Sequence, residues 1–217
     1  MQVPRALLFD WDNTLVDAWP GITQALNETF RAFGFRPWSI AEVRSRVRRS
    51  LRDTFPALFG EAWERARDLF YEALDRSHLQ QVTPLPGAAI TLDRAVAGGL
   101  PIAVVSNKTG RYLRREAEAL GWARQFAALI GAGDAEADKP DPAPFRLALQ
   151  AMGVAASEQV WYVGDTALDM LAARNAGLLA VLIGDAAHDG GAERISFDIR
   201  FADHRDLADS LTRLVRA

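Results

Sequence analysis

The chain has no cysteine. That excludes a disulfide framework, a thiol nucleophile and a Cys-ligated metal. It has no apolar run near the roughly 20 residues of a membrane-spanning helix. Histidine is scarce too: His78, His188 and His204 lie far apart and form no H-x-x-x-H pair. They read as surface or loop residues. No charge sign dominates, with 25 Lys and Arg against 28 Asp and Glu, a net charge of −3. An acidic balance argues against a nucleic-acid footprint. Neither nucleic acid nor membrane is expected as a partner. No G-x-x-x-x-G-K-[ST] and no G-x-S-x-G occur, so P-loop and serine-hydrolase readings lack their motifs. "GAGDAE" from Gly131 resembles G-x-G-x-x-G, but Glu136 stands at the third glycine and the segment reads as a loop.

What is present is an ordinary globular composition: 217 residues, 49% of them hydrophobic. That length suits one large domain or two small ones. The N-terminal "MQVPRALLFDWD" enters a strand-like run with no secretory pattern, so a cytoplasmic setting is expected. Five apolar runs read as buried parallel strands: Ala6 to Phe9, "PIAVVS" from Pro101, "ALI" from Ala128, "QVWYVGD" from Gln159 and "LAVLIGD" from Leu179. Helical periods lie between them. Leu113, Glu116/Ala117 and Leu120 precede Gly121. Phe145, Ala148, Leu149 and Met152 precede Gly153. Leu168, Leu171, Ala172 and Asn175 precede Gly177. A glycine just past a helix is the usual left-handed terminator.

One region breaks the alternation. From about Trp19 to Gln81 only helical periods occur: Ile22 to Phe33, then Ile40 to Leu51 behind a Ser39/Glu42 capping box, then Trp63 to Leu74. "TPLPGA" from Thr83 is a Pro/Gly-rich return. The expected fold is α/β, a Rossmann-like doubly wound parallel sheet with an inserted all-helical domain. The expected boundaries are residues 1–17 with 84–217 for the core, and 18–83 for the insert.

In such sheets ligands bind beyond the carboxyl ends of the strands. The first strand ends in Asp10 and Asp12. The second ends in Ser106, Asn107 and Lys108. The fourth ends in Gly164 and Asp165, with Asp169 one helical turn on. Lys139 in "DKPDPAPF" precedes a helix that Asp141 can cap, with Pro142 at its first position. Taken singly, each has a plainer reading: an Asp as cap or turn residue, Ser106 as a helix cap, Lys139 as a solvated lysine. Together they meet at one sheet edge. Residues i and i+2 of an extended chain point the same way, so Asp10 and Asp12 can share a site while Trp11 packs away from it. With Asp165 they form an all-oxygen set suited to Mg²⁺. A hydroxyl, helix-start N–H groups and a lysine suit a phosphoryl group.

"FDWDNTLVD" resembles the DxDx[T/V] motif of the haloacid dehalogenase superfamily. "VVSNK" is similar to its second motif, Lys139 in "DKPDPAPF" to its third and "VGDTALD" to its GDxxxD motif, in the right order. The insert lies where that superfamily carries a C1-type helical cap. The phosphoglycolate-phosphatase-like branch is nearest in pattern. The resemblance implies a Mg²⁺-dependent phosphatase acting on a small phosphorylated metabolite through an aspartyl-phosphate. Asp10 would be nucleophile and metal ligand. Asp12 would be acid and base, its carbonyl a further ligand. Asp165 would bind the metal and Asp169 support it. Ser106, Asn107 and Lys139 would hold the phosphoryl oxygens. An acid at Asp12 favours phosphate esters over halides, since an alkoxide needs a proton to leave. A sugar phosphomutase and a non-catalytic Mg²⁺/phosphate-binding module stay open as alternatives. A monomer or homodimer is expected.

The insert also carries "RSRVRRSLR", with arginines at 44, 46, 48, 49 and 52. It reads as a solvated helix face, or as a grip on a second anionic group. Trp19 and Trp38, at ends of the inserted segment, read as core or hinge packing, or as lining an entrance.

Overall fold

The computed structural model describes residues 3–46 and 51–215, with the backbone alone for 51–53 and 215. The chain divides into two units. One runs to Asp17 and resumes at Pro84; the other is Ala18–Thr83.

The strands are β1 (Ala6–Phe9), β2 (Val16–Asp17), β3 (Thr83–Pro84, at the boundary of the two units), β4 (Ile102–Thr109), β5 (Ala128–Ala132), β6 (Val160–Gly164), β7 (Leu179–Ile183) and β8 (Ile199–Phe201). Six form one sheet in the order β5-β4-β1-β6-β7-β8. Its pairings are parallel, with Leu7 opposite Ile102 on one side and Trp161 on the other. β2 and β3 pair separately where the chain leaves and returns. β1 and β6 are buried at every residue. An apolar run without alternation is what a strand covered on both faces requires. β8 was not expected; its three residues include the exposed Arg200 and give too little apolar signal.

Helices α1 (Trp19–Ala32), α2 (Ile40–Arg46), α3 (Leu51–Phe59) and α4 (Trp63–Gln81) precede α5 (Ala88–Ala97), α6 (Gly110–Ala119), α7 (Ala143–Met152), α8 (Ala167–Asn175) and α9 (His204–Val215). Among the sheet's helices, α7 brings Phe145 against Tyr162 edge-on, with ring centroids 4.8 Å apart. Leu8, Val105, Met170 and Leu182 share that core. Each such side chain contributes roughly 1.5–3 kcal/mol by leaving water. Pro142 rather than Asp141 is the N-cap of α7, so the helix starts one residue later than expected, and the Ala143 N–H donates to Asp141 Oδ1 at 2.7 Å.

The second unit, α1 to α4, has its own apolar cluster around Leu26, Phe30, Val43, Phe55, Phe59 and Phe70. Trp19 belongs to that cluster and Trp38 packs against it. The Ser39/Glu42 box forms as the spacing predicts: Glu42 N donates to Ser39 Oγ at 3.2 Å and Ser39 N to Glu42 Oε2 at 2.9 Å. Of the period expected over Ile40 to Leu51, Ile40–Arg46 is helical as α2 and Leu51 opens α3, while residues 47–50, Val47 among them, lie outside the described residues. Arg44 and Arg46 lie over the Trp19 and Trp38 rings, at 5.8 and 4.7 Å. Arg48, Arg49 and the Arg52 side chain lie outside the described residues. His78 is buried rather than superficial, because it falls on the inner face of α4.

Candidate active site

The site forms at the carboxyl edge of the adjacent strands β4, β1 and β6. Beyond β1, the Asp10 N–H still donates to Val163 O at 2.9 Å, which extends the ladder by one residue. The chain then turns: Leu15 N and Val16 N both donate to Trp11 O, at 2.9 and 3.1 Å. Asn13 takes the left-handed conformation this turn needs, at φ 62°, which asparagine tolerates well. Trp11 is fully buried and meets Trp122 and Phe126 edge-on. So the residue between the two aspartates packs away, as the alternation predicts.

Lys139 joins the parts. Its Nζ lies 2.7 Å from Asp10 Oδ1, 2.7 Å from Asp169 Oδ1 and 2.8 Å from Tyr162 Oη. The Tyr162 hydroxyl donates to Val105 O at 2.8 Å. Two hydrogen bonds hold the lysine's backbone: Lys139 N donates to Asn107 Oδ1 at 2.9 Å, and Asn107 Nδ2 donates to Lys139 O at 3.0 Å. Ser106 is buried near the end of β4 and accepts from Lys108 N at 3.3 Å.

Asp165 follows β6. Its Oδ1 accepts from Thr14 Oγ1 at 2.8 Å. Its Oδ2 is 3.1 Å from His188 Nε2, close enough for an ion pair but not aligned as a hydrogen bond. Asp169 sits in the first turn of α8. There it completes a capping box with Thr166, accepting from Thr166 N at 3.1 Å and Oγ1 at 2.6 Å. This carboxylate occupies the space that a Cβ at residue 164 would fill, so only glycine fits between strand and helix there.

Burial shapes the electrostatics. It pushes the Asp10 carboxyl up to about 7; Lys139 opposes this, while Asp169 and Asp165 add to it. Asp165 is raised, chiefly by burial. Burial also acts on Asp169, but Lys139, Thr166 and Tyr162 outweigh it and hold Asp169 below the usual range. Lys139 is raised despite its burial, because Asp10 and Asp169 flank it.

Asp10, Asp165 and Asp169 each offer an oxygen within 4.8 Å of the others. Lys139 supplies one positive charge against these three buried acids, and Asp165 Oδ2 accepts no aligned hydrogen bond. The cluster gathers hard oxygen donors from three carboxylates, with Lys139 and, at Asp165, His188 beside them. That fits a divalent cation of the Mg²⁺ kind.

Sequence reasoning gave several residues no partner. Lys108 Nζ contacts Asp12 Oδ1 at 2.7 Å and Glu116 Oε1 at 3.0 Å, and Trp11 Nε1 donates to Glu116 Oε2 at 2.7 Å. Glu116 was detectable as a carboxylate among the apolar positions of its helix. His204, expected on the surface, is buried: its Nε2 donates to Thr14 O at 2.6 Å, and Nδ1 lies 3.1 Å from Thr91 Oγ1. His188 is half-buried against Asp165 rather than on a free loop.

Residues 7–183 match the family model described as haloacid dehalogenase-like hydrolase. The chain is 33% identical over 188 residues to a phosphoglycolate phosphatase of Xanthomonas campestris, covering 83% of each. It is 33% identical over 188 residues to phosphoglycolate phosphatase 1 of Pseudomonas aeruginosa, covering 82% of this chain and 68% of that one. The crystal structure of a HAD-superfamily hydrolase from Ehrlichia chaffeensis superposes with a TM-score of 0.69, at 26% identity and 99% coverage of both chains. A match that begins in β1 and ends with β7 takes in every strand end that carries the site, and the chain belongs to the haloacid dehalogenase-like hydrolase family.

Proposed function

We propose that the protein is a Mg²⁺-dependent phosphomonoesterase, working on a small anionic metabolite through a phosphoaspartyl intermediate at Asp10. The observation that carries this is the setting of Asp10: a buried strand-end carboxylate 2.7 Å from Lys139, with a second aspartate two residues on. Lys139 favours the ionised, nucleophilic form of Asp10 against the effect of burial. Asp10, Asp165 and the Asp12 carbonyl would hold Mg²⁺, with Asp169 in support. The bound ion would offset charge on Asp10 and on the phosphoryl oxygens. Ser106 and Lys139 would bind those oxygens. The Asn107 carboxamide is taken up by the Lys139 backbone, so its share would come from its own N–H.

In the first step an Asp10 oxygen bonds to phosphorus as the ester P–O bond breaks, and Asp12 gives its proton to the leaving oxygen. In the second, Asp12 takes a proton from water, the water oxygen bonds to phosphorus, and the Asp10–phosphorus bond breaks to release phosphate. The helical unit, residues 18–83, would act as a cap that excludes bulk water. It would move about the connections at residues 17–20 and 83–87. The names of the relatives from Xanthomonas campestris and Pseudomonas aeruginosa make phosphoglycolate the first substrate to try.

The test is hydrolysis of p-nitrophenyl phosphate with and without Mg²⁺, then kcat/KM over phosphoglycolate, sugar phosphates, nucleoside monophosphates and pyrophosphate. Acid quenching should trap a hydroxylamine-labile phosphoenzyme that Asp10→Asn does not form. Turnover that survives Asp10→Asn would rule the reading out.

A further inference from the structure

Asp12 does not stand alone. Its Oδ1 is 2.7 Å from Lys108 Nζ, which is 3.0 Å from Glu116 Oε1. The other Glu116 oxygen accepts from the indole of Trp11, the residue joined to Asp12 through the peptide bond. The contacts thus close a ring: Asp12, Lys108, Glu116, Trp11 and back. Three elements contribute, the turn after β1, the end of β4 and the middle of α6. The pairing of β4 with β5 shifts register between Val105 and Thr109, in the stretch that carries Lys108.

The ring is not a chance surface contact. The Glu116 side chain is 2% exposed and that of Lys108 10%, whereas Asp12 keeps 28%. A buried carboxylate on a helix is costly unless paired and hydrogen-bonded. Glu116 meets both conditions, and both lead toward Asp12. Lys108 spends two of its three N–H donors on these carboxylates, which suits holding a side chain better than gripping a substrate anion. Asp12, the most exposed of the three, remains open to a leaving group.

We propose that Lys108, anchored by Glu116, is a positioning residue that fixes the Asp12 carboxylate for proton transfer to the leaving oxygen. This rests on the reading of Asp12 as the acid. Losing the anchor would let the carboxylate rotate, and proton transfer depends on hydrogen-bond geometry.

Leaving groups separate this role from a structural one. An alkoxide needs a proton to depart, whereas p-nitrophenolate departs without one. Lys108→Met should therefore lower kcat/KM for an alkyl phosphate about 10²-fold more than for p-nitrophenyl phosphate. The ratio of two substrates within one variant does not depend on how much protein is folded. Glu116→Gln, which keeps a hydrogen-bonding group for Trp11, should shift the ratio the same way by less. Asp12→Asn should show the full selective loss, and adding Lys108→Met to it should change the ratio no further. If Asp12→Asn is selective while Lys108→Met and Glu116→Gln depress both substrates equally or neither, the positioning role is wrong and the acid stands. If Asp12→Asn is itself unselective, the assignment of the acid fails and the positioning role falls with it.

Discussion

The Thr14 hydroxyl donates to Asp165 Oδ1 at 2.8 Å, across 151 positions of sequence. This bond ties the turn that follows the two aspartates to the acid at the end of β6. Outer hydrogen bonds of this kind orient metal ligands, and losing one typically costs 10–100-fold in affinity. Thr14→Val should weaken Mn²⁺ binding by about that factor, read by electron paramagnetic resonance titration. Unchanged affinity would show that Asp165 needs no such support.

Lys139 holds two buried acids at once. Removing it leaves both without their cation, which for a buried pair costs about 3–5 kcal/mol. Lys139→Met should lose roughly that much stability in urea with a chelator present. Added Mg²⁺ should restore part of the loss, because the new charge falls among the same carboxylates. A deficit indifferent to Mg²⁺ would contradict a cation site there.

Gly164 leaves room for the Asp169 carboxylate. Gly164→Ala forces a methyl group against that side chain, and overpacking costs about 1–3 kcal/mol. We expect a lower melting temperature together with a drop in kcat, since Asp169 also pairs with Lys139. Wild-type behaviour in both measurements would mean that the strand end yields easily.

Burial lowers the His204 pKa below its ordinary 6.5. The folded protein thus takes up this proton less readily than the unfolded chain. The resulting stability is fully present above about pH 6.5 and is lost as the pH falls through the folded value. The stability difference between wild type and His204→Gln should therefore shrink from about pH 7.5 to about 5.5. Denaturation curves at those two values decide it, and a constant difference would contradict it.

The strands with continuous apolar runs were legible in the sequence, as were the glycines that end α6, α7 and α8. The acids at the strand ends stood out because four motifs fell in order along one sheet edge. Partnerships were not legible. Nothing local links Lys108 to Asp12, 96 positions away, or Tyr162 to Lys139, 23 away. Periodicity marks which face of an element is covered, not which polar group it meets there. His78 and His204 were misread for that reason: histidine carries no burial signal of its own, and its neighbours in space decide. β8 was too short, and too polar at Arg200, to register.

The strand order has a consequence for synthesis. β1 lies between β4 and β6, which the ribosome reaches only at Ile102 and Val160. At roughly 5–20 residues per second, on the order of 10–30 s separates β1 from its second neighbour. In that interval the helical unit, with an apolar cluster of its own, emerges complete. The nascent chain meanwhile holds a fully apolar strand that lacks at least one side of its sheet. A product released before Val160 lacks both the second partner of β1 and Asp165, so the flanking of β1 and the buried acid cluster wait on the same late arrival.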